Sequence, residues 1–188
     1  FERTEEKFLV PLALEEEIKK NILMHLRPAY PDSQSKFTLI ESIYFDSDRF
    51  DCFQDHFSSL DKRYKLRLRR YAPNGIFGKG PVFLEAKSKT RRGLKNISAK
   101  KRFGLDGKNF EELLRAKTIC FTSELRAANP KLALRELEER VDFVNSLIES
   151  YGLRPQLRVT YERMAYERGD LRVTVDKKIA AGATIYCP

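Results

Sequence analysis

The sequence has no tryptophan and very few histidines and cysteines, with two and three copies among 188 residues. His25 and His56 belong to no H-x-x-x-H pattern. Two isolated histidines argue against a histidine metal centre or a Ser-His triad. Cys52, Cys120 and Cys187 are odd in number and widely spaced without a C-x-x-C motif, which argues against a disulfide framework or a structural zinc site. Any chemistry must therefore use carboxylates, cations or a bound metal.

Long hydrophobic runs are also missing. No segment approaches the length of about 18 apolar residues that a membrane-spanning helix needs, and no signal-like segment opens the chain. The scattered, unpaired cysteines fit a reducing compartment. We therefore expect a soluble, cytoplasmic protein, with any membrane association supplied by domains outside this chain.

Positive charge is what the sequence has in excess. Lysine and arginine total 36 against 27 acidic residues, which leaves a net charge of +9. Such an excess favours a polyanionic partner: nucleic acid, an acidic membrane surface or a phosphate-rich small molecule. The length and the 41% hydrophobic content predict one folded domain over residues 1–188.

Strand and helix patterns are both present, and they are grouped along the chain. The strands are expected to pair antiparallel through short turns, so the fold class is α+β, antiparallel. Helices are predicted at 12–27, at 109–116, at 130–152 and, in a short form capped by Asp46 and Asp48, after residue 46. The predicted strands are 1–10, 37–45, 62–72, 80–89, 96–104, 154–168 and 171–176.

The stretch "RYKLRLRR" at 63–70 shows the most unusual pattern. In a strand, Lys65, Arg67 and Arg69 share one face, while the leucines between them share the other. The strands at 80–89 and 96–104 divide in the same way, and their charged positions are Glu85, Lys87, Lys89, Lys100 and Arg102. The ordinary explanation is a half-buried sheet with its polar face in water. Like charges lying opposite each other are destabilising, however, so a bound anion is the better explanation.

The amphipathic helices need apolar surface, and the leucine-rich faces of the strands supply it. If the sheet curls with the helices outside, the charged faces line the interior of a barrel. Each confined cation then carries a desolvation cost of several kcal/mol, which a multivalent anion can offset. A chain of phosphates matches such an interior, because its oxygens suit the bidentate geometry of arginine. We therefore predict an antiparallel β-barrel tunnel with a charged interior.

Several motifs in this order resemble one family: "RTEEKF", "SIYFD", "KLRLRRY", "VFLEAKSK", "AKKRF", "YERMAYE" and "LRVTVD". Together they run from residue 3 to about residue 176 and resemble the VTC domain, the catalytic module of polyphosphate polymerases. That domain is grouped with the triphosphate tunnel metalloenzymes and the CYTH proteins.

The resemblance implies a tunnel that binds ATP or polyphosphate with Mn²⁺ or Mg²⁺ and passes the γ-phosphate to a growing polyphosphate chain. Phosphoryl transfer needs alignment and charge neutralisation, which cations provide without a nucleophilic side chain. By the matched positions, Lys7, Arg67, Arg69 and Lys87 would be the catalytic residues. The phosphate-binding set implied by the family is Lys7, Arg67, Arg69, Lys87, Lys100, Arg163 and Arg172.

The sequence departs from the family pattern in two places. Family members carry a metal-binding Glu, usually in an E-x-K pattern, on a further strand, whereas the sequence here ends at "ATIYCP"; we expect the domain to lack that acidic strand. Arg3 stands where CYTH proteins have the first Glu of E-x-E-x-K, which favours the VTC branch. Glu5 and Glu85 are then the candidate metal ligands, and the alternative for each is an internal ion pair.

Alternation within 154–168 groups Arg163 with Leu157, Val159 and Tyr161, so an inward-facing Arg163 predicts a bulge in this strand. The tyrosines at 44, 71, 161 and 166 are assigned to packing, with stacking on a nucleotide base as the alternative.

Other functions stay open. The chain could be a catalytically inactive sensor module that binds triphosphate or polyphosphate, or a triphosphatase. Nucleic acid is not expected as a partner, because the aromatic residues near "KLRLRR" alternate away from the cations.

Overall fold

A computed structural model describes residues 4–30, 37–58, 60–73, 75, 77, 80–92 and 95–184. The helices are α1 (Glu15–His25), which follows a 3₁₀ turn at Leu12–Leu14, α2 (Asp51–Phe57), α3 (Gly107–Leu114), α4 (Ser123–Ala127) and α5 (Leu134–Tyr151). The strands are β1 (Arg27–Pro28), β2 (Thr38–Asp46), β3 (Lys62–Ala72), β4 (Val82–Arg92), β5 (Lys95–Leu105), β6 (Arg154–Arg168) and β7 (Leu171–Ala183). Within the described residues, no helix is both long and apolar enough to cross a bilayer.

All the strands belong to one antiparallel sheet. The main order is β5-β4-β3-β2-β6-β7, and the short β1 pairs with the end of β6. The sheet is curled. Its curl brings β3 and β6 close enough for Arg69 of β3 to reach across β2 and donate a hydrogen bond to the Tyr161 hydroxyl of β6. The structure confirms the α+β antiparallel fold, in the form of a half-barrel with β5 and β7 at its edges in the described residues.

Helices α1, α3, α4 and α5 cover the convex face of the half-barrel. Leucines from β3 and β4 alternate onto this face and pack against α3 and α5 in one core; its most buried members include Leu66, Leu68, Leu84, Leu113, Leu137 and Val144. A smaller cluster joins α1 to β6 through Leu26, Met164 and Tyr166. The leucine-rich faces are therefore the buried ones, as the alternation predicts.

Local signals explain the helix boundaries. Asp106 accepts a hydrogen bond from the Asn109 amide and caps α3, and Thr122 caps α4 in the same way through Leu125. Gly152 ends α5 with a φ of 59°, the left-handed conformation that glycine adopts without strain. The cap at Asp46 is less usual: it accepts from the amides of Cys52 and Phe53 in α2, although it lies at the end of β2.

The predicted first strand is wrong for the part of it that is described. Residues 4–11 belong to no strand, and residues 4–10 are exposed throughout. Phe8, Leu9 and Val10 are three consecutive apolar residues, so the segment has no single apolar face to place on a sheet. Residues 1–3 of the prediction lie outside the described part of the chain.

A basic concave face around Glu85

A single buried acid lies at the centre of the concave face. The Glu85 side chain is only 1% exposed; Arg67 binds one of its oxygens through Nε and Nη2, at 2.8 and 2.6 Å. Lys100 Nζ lies 2.8 Å from the other oxygen, and Arg102 Nε lies 3.5 Å from it. Burial alone would raise the pKa of Glu85, but Lys100 and Arg67 outweigh it and lower the pKa to about 2. Glu85 is therefore a carboxylate held by three cations.

One row further along the strands, three lysines face one another. Lys65 on β3 is paired in register with Lys87 on β4, and Lys87 is paired with Lys100 on β5. We call these three residues the lysine row. Among the described residues, no acidic group lies within 4 Å of Lys65 or Lys87. Burial lowers the pKa of Lys87, Arg67 and Lys100 lower it further, and Glu85 and Glu5 act in the opposite direction. The row carries a repulsion that a bound anion would relieve.

Neutral hydroxyl groups orient two arginines of β3, Arg67 and Arg69. Arg69 donates from Nε to the Ser42 hydroxyl at 3.2 Å and from Nη2 to the Tyr161 hydroxyl at 3.1 Å. Arg67 donates from Nη1 to the Tyr44 hydroxyl at 3.2 Å. These hydrogen bonds come from uncharged groups, so they fix the orientation of the guanidinium groups without offsetting their positive charge.

The sequence interpretation missed this role, because it assigned the tyrosines to packing. A signal was available in "SIYF", where Ser42 and Tyr44 alternate with the buried Ile43 and Phe45.

Arg102, like Lys65, is a cation on this face that the family resemblance did not assign. Its guanidinium carbon lies 3.9 Å from the centre of the Phe83 ring and 5.7 Å from that of Tyr71. The side chain stays 37% exposed, so its remaining donors can reach a ligand. The pattern of "KKRF" already placed Arg102 in phase with Lys100.

Arg163 lies on the concave face together with Tyr161, its neighbour in phase, so the grouping by alternation was correct and its assignment to the outer face was wrong. The predicted irregularity within 154–168 is present: the register of β6 shifts opposite Tyr44 and Phe45 of β2, and between Thr160 and Glu162 opposite β7. It does not separate Arg163 from Tyr161, because β6 pairs with β2 in unbroken register from Arg158 to Arg163. Arg163 binds Asp176 through two hydrogen bonds of 2.6 Å, which raise its pKa.

The structure brings four of the predicted residues together: Arg67, Arg69, Lys87 and Lys100. Arg163 lies beside them through Tyr161, since its guanidinium is 5.1 Å from that ring. Arg172 is exposed near the β6–β7 turn and donates to the Tyr30 hydroxyl at 3.3 Å. Lys7 is exposed in the segment before α1. For Lys7 and Arg172, phosphate binding stays a prediction from the resemblance.

The predicted metal ligands do not form a ligand set in the described residues, where no group of three His, Cys, Asp or Glu side chains could hold an ion. Both oxygens of Glu85 already face cations, and Glu5 lies in the exposed segment before α1. A dication bound at Glu85 would have to displace Arg67 or Lys100. The donors present do not fit a resident divalent metal, and the alternative of an internal ion pair describes Glu85.

These observations define a half-barrel domain with helices on its convex side and a cation-rich concave side. The family model described as "VTC domain" matches residues 2–184. The chain belongs to the VTC domain family.

Curated relatives are similar to this chain at moderate identity. It is 30% identical over 168 residues to vacuolar transporter chaperone complex subunit 4 of Schizosaccharomyces pombe, covering 85% of this chain and 23% of that protein. It is 28% identical over 152 residues to subunit 2 of the Saccharomyces cerevisiae complex, covering 75% and 18%. The chain therefore spans about a quarter or less of the relatives it matches. A solved structure, the PH1819 protein of Pyrococcus horikoshii, covers 92% of this chain and 74% of its own at 15% identity and a TM-score of 0.41.

Proposed function

We propose that this chain binds ATP and polyphosphate on its concave face and transfers the γ-phosphate of ATP to a growing polyphosphate chain. The observation that carries the proposal is the lysine row, in which three cations face one another beside Arg67 and Arg69. A multivalent anion offsets this repulsion better than separate small ions, because its charges are already linked. The resemblance to polyphosphate polymerases indicates that this anion is ATP or polyphosphate.

The transfer needs no nucleophilic side chain. A terminal oxygen of the acceptor chain attacks the γ-phosphorus, the bond from that phosphorus to the β–γ bridging oxygen breaks, and ADP leaves with the electron pair. Lys87, Lys100 and Arg67 neutralise the oxygens around the reacting phosphorus, and Arg69, oriented by Ser42 and Tyr161, holds a neighbouring phosphate. Oriented cations on rigid strands suit a reaction of this kind.

The divalent cation, Mn²⁺ or Mg²⁺, is proposed to arrive bound to the phosphates of the substrate. The contacts of Glu85 support this, because Arg67 and Lys100 each bind one of its oxygens. Neither oxygen is then free to bind a metal ion. Mg²⁺ commonly binds through substrate phosphates with few protein ligands. Metal alone should then bind weakly in calorimetry, and metal with triphosphate should bind together.

The relatives are named as subunits of vacuolar transporter chaperone complexes. We propose that this chain likewise works within a larger assembly that makes polyphosphate, with its nucleotide substrate drawn from the cytoplasm. Nucleic acid is not part of the proposal.

A module that binds triphosphate or polyphosphate without turnover is the second candidate. The observation that favours it is the ion pairing of Glu85. Because its carboxylate is paired with cations, this candidate metal ligand does not serve as one. A triphosphatase would differ from both in releasing phosphate to water.

One experiment separates the three. The protein is incubated with ATP and Mn²⁺, and the products are examined on a gel for polyphosphate and by a free-phosphate assay. Long chains support the polymerase. Phosphate release without chains indicates a triphosphatase. Triphosphate binding without either product indicates the binding module, and absence of binding to any triphosphate overturns all three.

A further inference from the structure

Helix α2 lies at one end of the concave face. Asp46, two residues beyond Tyr44 on β2, accepts hydrogen bonds from the amides of Cys52 and Phe53 at 2.9 and 3.0 Å. Arg63, two residues before Lys65 on β3, donates from Nη1 to the backbone oxygen of His56 at 3.3 Å. Both ends of the helix are therefore fixed by residues in phase with the cations, next to the lysine row.

The aromatic side chains of α2 are turned outward. Phe53 and Phe57 are 60% and 70% exposed, and their ring centres are 5.1 Å apart. The His56 ring lies 5.5 Å from that of Phe57. The helix uses Cys52 as its buried contact with the core. Exposed neighbouring rings of this kind are more typical of a binding surface than of a surface that meets only water.

Cations act on the histidine beside these rings. Lys65 is the main cause of the lowered pKa of His56, followed by burial and then by Arg63 and Lys89. Arg63 thus contacts the helix that carries the rings, and Lys65 acts on the His56 ring, which lies 5.5 Å from that of Phe57. A base joined to a chain of phosphates fits both parts of this surface.

We propose that Phe53 and Phe57 form a stacking subsite for the base of a nucleoside triphosphate whose phosphates lie on the lysine row. The inference rests on the proposed function and deepens it, because it assigns base recognition to α2. Aromatic rings bind any base through its flat face, so the subsite would favour nucleotides over inorganic phosphate chains without selecting one base.

The test compares two ligands that share their phosphates. Affinities for ATP and for inorganic tripolyphosphate are measured by calorimetry on the 188-residue chain and on the double variant Phe53→Ala/Phe57→Ala. Phe121→Ala serves as the matched control, since Phe121 is 43% exposed and lies beside α4. Base stacking is worth about 1–3 kcal/mol per base, so ATP should bind roughly 5- to 150-fold more weakly to the double variant. Tripolyphosphate affinity should stay unchanged, and Phe121→Ala should change neither.

Each other result has a definite meaning. If the double variant loses affinity for both ligands equally, or for neither, the stacking subsite is wrong, while the proposed function stands. If the unaltered chain binds neither ligand, the proposed function fails first. Circular dichroism of the variants checks that α2 and the sheet remain folded; because both rings are exposed, unfolding of the double variant would itself contradict the proposed placement.

Discussion

Two buried glutamates lie on opposite faces of the same sheet, and they have different surroundings. Glu41, on the convex face, is 2% exposed and is bound by Arg70 and by Arg158, the latter at 2.7 Å. Glu85, on the concave face, is 1% exposed and is bound by Arg67 and Lys100. Each acid forms ion pairs with at least two cations, so the pairs themselves are alike.

The difference lies in what surrounds each pair. Arg70 packs against the rings of Phe77 and Phe110, at 4.9 and 5.5 Å, so the next groups beside this partner of Glu41 are apolar. Around Glu85 the next groups include Lys87, Lys65 and Arg102, the last stacked on Phe83, and they add positive charge. The same kind of buried ion pair therefore has apolar neighbours on one face and further cations on the other, where we propose that the anion binds.

The largest expected effect comes from removing each acid in turn. Glu41→Gln and Glu85→Gln should each lower the free energy of unfolding by about 3–5 kcal/mol, because each leaves buried cations without their partner. Tripolyphosphate should restore the stability of Glu85→Gln, since an anion can replace the lost carboxylate, and should not restore that of Glu41→Gln. Urea unfolding with and without tripolyphosphate measures both effects.

The unaltered chain is the control for this comparison, because it sets the ordinary gain from ligand binding. Equal rescue of the two variants would mean that the two faces do not differ as the contacts indicate. Weaker binding to Glu85→Gln would show that Glu85 orients ligand groups rather than competing with them.

The second effect concerns neighbouring arginines that point to opposite faces. Arg69→Ala should weaken tripolyphosphate binding by about 10- to 100-fold, because a charge-assisted hydrogen bond is worth about 1.5–3 kcal/mol. Its stability should change little, since the partners of Arg69 are the hydroxyls of Ser42 and Tyr161. Arg70→Ala is the matched variant: it should bind normally and be destabilised, because it removes a partner of Glu41. Unchanged tripolyphosphate binding by Arg69→Ala would show that Arg69 is not part of the binding site.

Alternation along β3, β4 and β5 was enough to predict which of their residues share the concave face. Arg67, Arg69, Lys87 and Lys100 follow directly from a period of two, and the apolar positions between them form the predicted core. The pairing of Glu41 with Arg158 could not be predicted in the same way, because it depends on β2 lying between β3 and β6, strands distant in the sequence. The tyrosine contacts of Arg67 and Arg69 depend on that same order and on the curl of the sheet.

A smaller effect should distinguish lysines on the two faces. Lys87→Met should raise the free energy of unfolding of the unliganded protein by roughly 0.5 kcal/mol, because it removes a like charge from the lysine row. Lys101→Met should lower it by about 0.5 kcal/mol, since Lys101 lies 5.0 Å from the centre of the Phe143 ring on the convex side. Thermal or urea unfolding at low salt measures the difference, and a destabilised Lys87→Met would argue against repulsion within the row.

The smallest effect is a proton taken up on binding. Burial, together with Arg67 and Lys100, holds the pKa of Lys87 below its ordinary value of 10.5, so the unliganded protein releases this proton at a lower pH than a free lysine does. A bound triphosphate favours the charged amine and raises the pKa again, so between the two pKa values binding must take up a fraction of one proton. Calorimetry of tripolyphosphate binding at several alkaline pH values below 10.5, in two buffers with different heats of ionisation, measures the net proton exchange, and the difference from Lys87→Met gives the share of Lys87 because the ligand's own ionisation is common to both. His56 does not interfere, because its pKa is lowered and it is neutral at alkaline pH. Lys87→Met should abolish the uptake and Lys101→Met should retain it; uptake that persists without Lys87 would assign the proton to another member of the lysine row.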